Sequence, residues 1–390
     1  MENKPNIPQP QIGKHPGIHL REILEARGWL QRDLAFILGC PEKGINLIFS
    51  GKRGISPEMS KALGHALSLP PDYFADIQKA YDLACANEPN PAISLRARMQ
   101  DNYPIRETIK RGWLKDTDAE GLERQLASFF NVKSPNDIPY LAHSAKKTNY
   151  EEKEIPPAQL AWLFRVKQVA RSISVPKYSA YRLSESLEGM RHLLIAPEEA
   201  RRVPRILSDC GVRLIMVESL PKSKIDGVSF WMDDHSPVIG LSFRYDRIDN
   251  FWFVLRHEIE HILNGEGRDI AMIDAELEGA RAGSSLDISE SERKANAAAA
   301  AFCVPKDKME SFMRRKHPFY YERDVLAFSQ INGIHPALVV GQIQNRTDRH
   351  DFLRKYQVKI RQFVVPGSIA DGWGQTIPID AEEGLTYGQN

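Results

Sequence analysis

The stretch NFWFVLRHEIEHILNG, residues 250–265, decides how this chain is read. Asp249 or Asn250 can cap a helix at its start, and Asn264-Gly265 can end one. His257 and His261 then stand four positions apart, one turn from each other on the same helix face. Two imidazoles so placed reach one tetrahedral zinc ion. Glu258 lies to the side of that pair, where a carboxylate acts as general base while the cation acts as Lewis acid. The same spacing also arises on ordinary charged helices. Here the flanking FWFVL and IL are strongly apolar, which predicts a mostly buried helix, and buried histidines and glutamates need partners.

A hydrolytic zinc usually takes three protein ligands. The acidic residues after His261 are Glu266, Asp269, Asp274, Glu276, Glu278, Asp287, Glu290 and Glu292. The best helix among them lies in LDISESERKANAAAAAFCVP, residues 286–305. Its alanine run offers a bare surface that can lie close against another helix and bring a carboxylate to a metal. Glu292 allows two readings. It can be that ligand, or it can close a capping box with Ser289 and bond only its own helix end. Asp287-x-x-Glu290 is an equally good box and would free Glu292. The residues alone leave the choice open.

The region from about Leu207 to Pro305 resembles the ImmA/IrrE family of zinc metallo-endopeptidases. In that family strands precede a His-Glu-x-x-His helix, and a later helix reads Glu-x-x-Ala-Asn-x-Phe-Ala-x-x-Leu-Leu-x-Pro. The chain gives ERKANAAAAAFCVP, so Glu292, Ala295, Asn296, Ala299, Phe302 and Pro305 fall on the pattern. It departs at Ala298 and Cys303, which are packing positions. The resemblance implies a zincin-like domain with His257, His261 and Glu292 as Zn2+ ligands and Glu258 as base. It also implies a protein substrate, repressor- or antitoxin-like, in a bacterial stress, toxin–antitoxin or phage-defence system. A developing oxyanion needs a donor, and Tyr245 and His335, with Tyr320 and Tyr321, are candidates by residue type. The strand PVIGLSF, residues 237–243, is a candidate to present its edge to an extended peptide.

The N-terminal stretch LQRDLAFILGCPEKGINLIFSGKRGIS, residues 30–56, has helix-turn-helix dimensions. Ala35 is small where two helices would cross, Gly39 sits at the turn, and Ile45 and Ile48 would pack inward. Residues 15–84, including HPG, GKRGIS and YDLA, resemble the HigA-type antitoxins of the XRE helix-turn-helix class. Lys43 and Asn46 are the base-reading candidates, and Arg32, Lys52 and Arg53 the phosphate-contacting ones. Glu42 opposes phosphate, and Gly44 costs ~1 kcal/mol of helix stability relative to alanine. DNA and protein both remain partners for this module, and a homodimer is an allowed assembly. The alternative function is a HigA-like DNA-binding antitoxin or transcriptional repressor whose metal domain senses or binds without turnover.

Bulk composition narrows the rest. The 390 residues carry 52 Lys+Arg against 51 Asp+Glu, so DNA binding must come from a local patch rather than a whole-chain field. Cys40, Cys85, Cys210 and Cys303 form no Cys-x-x-Cys pair, which fits a reducing cytoplasm and no cysteine zinc site. No apolar run approaches the ~20 residues that span a bilayer, so no membrane partner is expected. The predicted fold class is α+β: a disordered arm over 1–15, an all-α helix-turn-helix domain over 16–88 and a helical middle region over 89–200. A zincin-like metallopeptidase domain with a small sheet packed on helices follows over 201–363, then a flexible tail over 364–390. VRLIMVESL, GVSFWM and PVIGLSF are the predicted strands, being short, β-rich and separated by turn residues.

Overall fold

The computed structural model describes residues 13–90, 92–133, 156–268, 271–275 and 289–378. The chain divides into two compact units, 1–91 and 92–390. The first unit is all helix: α1 (Pro16–Arg27), α2 (Gln31–Leu38), α3 (Glu42–Phe49), α4 (Pro57–Leu67) and α5 (Tyr73–Cys85). Short sequence signals set the ends. Gly28 and Gly39 close α1 and α2 in the left-handed conformation that glycine adopts without a Cβ penalty. Ser56 caps α4, its hydroxyl accepting from the Met59 amide at 3.2 Å. Leu20, Ile23, Leu34, Ile45, Ile48, Leu63, Leu67 and Phe74 form the core. The expected arm over 1–15 falls mostly outside the described residues. Its last residue is ordered, because buried His15 caps α1 by accepting from Gly17 N at 3.0 Å.

The second unit begins with α6 (Ala92–Asn102), α7 (Ile105–Lys110), α8 (Ala119–Phe129), α9 (Pro157–Arg171), α10 (Ala180–Arg191) and α11 (Val203–Asp209). Then come β1 (Arg213–Val217), β2 (Ile225–Trp231), β3 (Pro237–Leu241), α12 (Ile248–Leu263), β4 (Met272–Ala275) and α13 (Glu290–Cys303). The unit closes with α14 (Lys306–Lys316), α15 (Glu322–Ile331), α16 (Pro336–Thr347), α17 (Arg361–Val364) and β5 (Ile369–Asp371). Among the described residues no helix is long and apolar enough to cross a membrane.

The five strands make one mixed sheet in the order β4-β2-β3-β1-β5. β1 runs parallel to β3 and β5, while β2 runs antiparallel to β3 and β4. Both faces are covered, which is why the strands read as nearly continuous apolar runs. Leu214 and Met216 of β1 and Ile239 and Leu241 of β3 enter the core shared with α12, α13 and α16. Alternate residues Ile215, Val217, Val228, Phe230 and Val238 enter the core with α8 and α9 around Trp113 and Trp162. The region expected as a separate helical middle, 89–200, therefore supplies one whole face of the sheet.

Two expectations need correction here. The tail predicted over 364–390 is part of the fold as far as residue 378, with β5 pairing to β1, and the rest lies outside the described residues. The cause is long-range. Buried Arg165 on α9 bonds Asp371, and Trp113 Nε1 donates to the same carboxylate at 3.4 Å. Nor does β3 present an edge to a peptide, because it is paired on both sides, to β1 and β2.

Candidate metal centre

The N-cap of α12 is Arg247, two residues before the nearer expected cap, Asp249, whose carboxylate accepts from Arg247. α12 ends at Asn264, followed by left-handed Gly265. The helix packs against β2 and β3 on one side and α13 on another, so His257, Glu258 and His261 are all fully buried. α13 meets it through Glu292, Ala295 and Ala299, which are buried and spaced three and four apart. The bare alanines let the two helices lie close, and Trp252 against Phe302, ring centroids 6.1 Å apart, closes the far end.

The result is a convergence of four donors. One ligand atom each from His257, His261, Asp274 and Glu292 lies within 4.8 Å of the others, and all four residues are buried. His257 Nε2 stands 3.0 Å from His261 Nε2. It is 3.3 Å from Asp274 Oδ2 and 3.5 Å from Glu292 Oε2. His261 Nε2 is 3.7 Å from the same Asp274 oxygen and 3.5 Å from Glu292 Oε1. Donors ~2.0–2.1 Å from one tetrahedral ion stand roughly 3.3 Å apart. The residues present therefore fit a small divalent cation of the kind that imidazole and carboxylate hold.

Only half of the capping box forms at Glu292. Its backbone amide donates to Ser289 Oγ at 3.2 Å, so the N-cap forms, while its carboxylate turns inward to the histidines. Glu290, the rival acid, is exposed and paired with Lys294 at 2.9 Å. Behind the donors, Glu266 Oε2 meets His261 Nδ1 at 2.5 Å and accepts from Ser291 Oγ at 2.5 Å. That contact fixes the ring so that Nε2 faces the cluster.

Glu258 has no hydrogen-bond partner of good geometry at either oxygen among the described residues. Burial first, and then the charge of Asp274, hold its carboxyl well above the usual carboxylate range. Burial would raise Asp274 too, but the facing charges of His257 and His261 outweigh it and bring it down to about 2. The space for Glu258 depends on Gly227 of β2. A Cβ there would fall on Glu258 Oε1 and come within 2.9 Å of Val254 Cγ1.

The remaining candidates lie elsewhere. His335 is the N-cap of α16, its Nδ1 accepting from Ala337 N at 3.2 Å, so that ring nitrogen is committed to a helix end. Tyr245 sits in the β3–α12 connection with the Arg244 guanidinium 4.9 Å over its ring. Neither belongs to the four-donor group. Tyr320 packs in an aromatic cluster with Phe312, and Tyr321 is exposed. In the first unit Arg32, Lys43, Asn46, Lys52 and Arg53 are all exposed. The amides of Lys52 and Arg53 donate to Leu47 O, which holds that loop at the end of α3.

In the sequence Asp274 and Glu266 are two of eight acids after His261 that no motif singles out, and Gly227 carries no mark at all. A signal for Asp274 exists, since MID in AMIDA is a short β-type run after the histidine helix. Its position beside the histidines depends on pairing with β2, which no local pattern reports.

Residues 210–327 match the family model described as the IrrE N-terminal-like domain, a peptidase family, and residues 20–74 match a helix-turn-helix model. The chain thus joins a helix-turn-helix region of XRE type to an IrrE/ImmA-like metallopeptidase-family domain. No curated protein compared with it matches.

Proposed function

We propose that the second unit is a zinc-dependent endopeptidase that cleaves a regulatory protein, repressor- or antitoxin-like, and that the helix-turn-helix unit couples this activity to DNA in the cytoplasm. The observation that carries the reading is Glu258, fully buried beside the convergent histidines with neither carboxylate oxygen taken by a hydrogen bond of good geometry among the described residues. His257, His261 and Glu292 would hold the cation, and Glu266 would orient His261. When bound, the cation would supply Lewis acidity to a scissile carbonyl and to water. Glu258 would accept a proton from the attacking water at a carboxylate oxygen and pass it to the leaving amine. Trp252, Val254 and Ile259 of the same helix are buried in the apolar core, which anchors the histidines and Glu258 on a rigid element.

The test is a Glu258→Gln chain. It should retain about one zinc per chain and its fold, co-purify with the substrate protein, and fail to cleave it, because an amide cannot take the proton. Cleavage at an unchanged rate would remove Glu258 from the chemistry. One observation favours the second reading, a metal-sensing DNA-binding repressor. Four protein donors surround the site, and closed four-donor sites are structural more often than catalytic.

A further inference from the structure

Asp274 is absent from the reading just given, yet it reaches both histidines with one oxygen, at 3.3 and 3.7 Å. It is 2 % exposed, and its Oδ2 has no hydrogen-bond partner of good geometry. A charge so buried needs a cation to repay its lost hydration. The strand that carries it is equally informative. β4 is the edge of the sheet, antiparallel to β2, with Asp274 opposite Gly227. Gly227 is the residue whose bare Cα makes room for Glu258. β4 therefore lies along the strand that flanks the general-base candidate, in antiparallel pairing. An extended peptide adding to β2 would use the same backbone groups.

We propose that Asp274 is a displaceable fourth protein ligand of the same cation, held there by β4 in the place a substrate strand would take along β2. The inference rests on the metal-centre reading above. Bound in this way, the carboxylate fills the coordination position that a hydrolytic site keeps open for solvent. The centre is closed while β4 is paired and opens when a peptide replaces β4. The four donors then describe a resting state, and the three that remain, His257, His261 and Glu292, are the working set.

The experiment loads the full chain with Co2+ in place of zinc and titrates it with acetohydroxamate, following the visible cobalt bands. The wild type should bind about one cobalt and show no band shift at micromolar probe. Asp274→Asn and Asp274→Ser should still bind about one cobalt and bind the probe at least ~10-fold more tightly. A wild type that binds no metal overturns the metal-centre reading itself. A wild type that takes up cobalt and responds to micromolar probe overturns only the role of Asp274, and this arm needs no variant. Equal probe affinity in wild type and variants also overturns it. Loss of cobalt from both variants with an unchanged thermal melt makes Asp274 indispensable rather than displaceable, and the proposal fails.

Discussion

In the helix-turn-helix unit the side chains that the sequence singles out, Arg32, Lys43, Asn46, Lys52 and Arg53, stand in solvent. In the second unit His257, Glu258, His261, Asp274 and Glu292 are buried between two helices and a sheet. The difference is one of constraint. An exposed polar residue can be exchanged at little cost to the fold. A buried one must be matched by its neighbours or it destabilises the whole unit. Buried polar clusters therefore leave a spaced pattern in the sequence, whereas exposed ones leave only composition.

The contrast is easiest to break at its most buried point. His257→Ala should reduce bound metal from about one per chain to none measurable. It should also lower the thermal midpoint of the second unit, since two facing carboxylates lose their cation. Full metal occupancy by elemental analysis would show that the cluster is not the site.

Glu292→Gln comes next. It should weaken metal binding in a chelator competition far more than Glu290→Gln, because Glu290 is an exposed partner of Lys294. So exposed a pair contributes little to stability. Equal effects would reduce Glu292 to a helix-end residue.

Glu266→Gln should act through His261 rather than on the ion. A loss of roughly 10- to 100-fold in metal affinity is the usual result of removing such a partner. No change in the same competition assay would mean that the helix packing alone orients the ring.

The smallest effects belong to the exposed unit. Substituting Lys52 and Arg53 together should lower affinity about equally for a promoter duplex and a scrambled one. It should flatten the salt slope by roughly 1.8, two contacts at ~0.9 each. Asn46→Ala should matter less. A specificity ratio of ~10³ or more that disappears in Asn46→Ala would reverse this ranking and favour the repressor reading.

How much of this was legible follows the same division. The histidine helix is readable because its apolar flanks and four-residue spacing are local. Glu292 needed family resemblance, since Ser289 does cap that helix and local chemistry could not separate the two roles. Asp274 and β5 were not legible. β4 and β5 are strands of four and three residues, too short to show a period, and each is fixed by a distant partner. For β4 that partner is Gly227 on β2, and for β5 it is Arg165 on α9. The helical region before residue 200 reads as a linker until Val166 and Trp162 are seen against the sheet.

The pairing of residue 215 with residue 369 also sets an order of events during synthesis. Every core residue of the first unit lies between positions 20 and 74, so that unit can fold while the rest of the chain is unmade. β1 keeps an open edge until residues 369–371 leave the ribosome and Asp371 meets Arg165. At ~5–20 residues per second, synthesis from the last core residue of the first unit, Phe74, to Asp371 takes roughly 15 to 60 s. The helix-turn-helix is then a finished protein for that interval, tethered to an unfinished one.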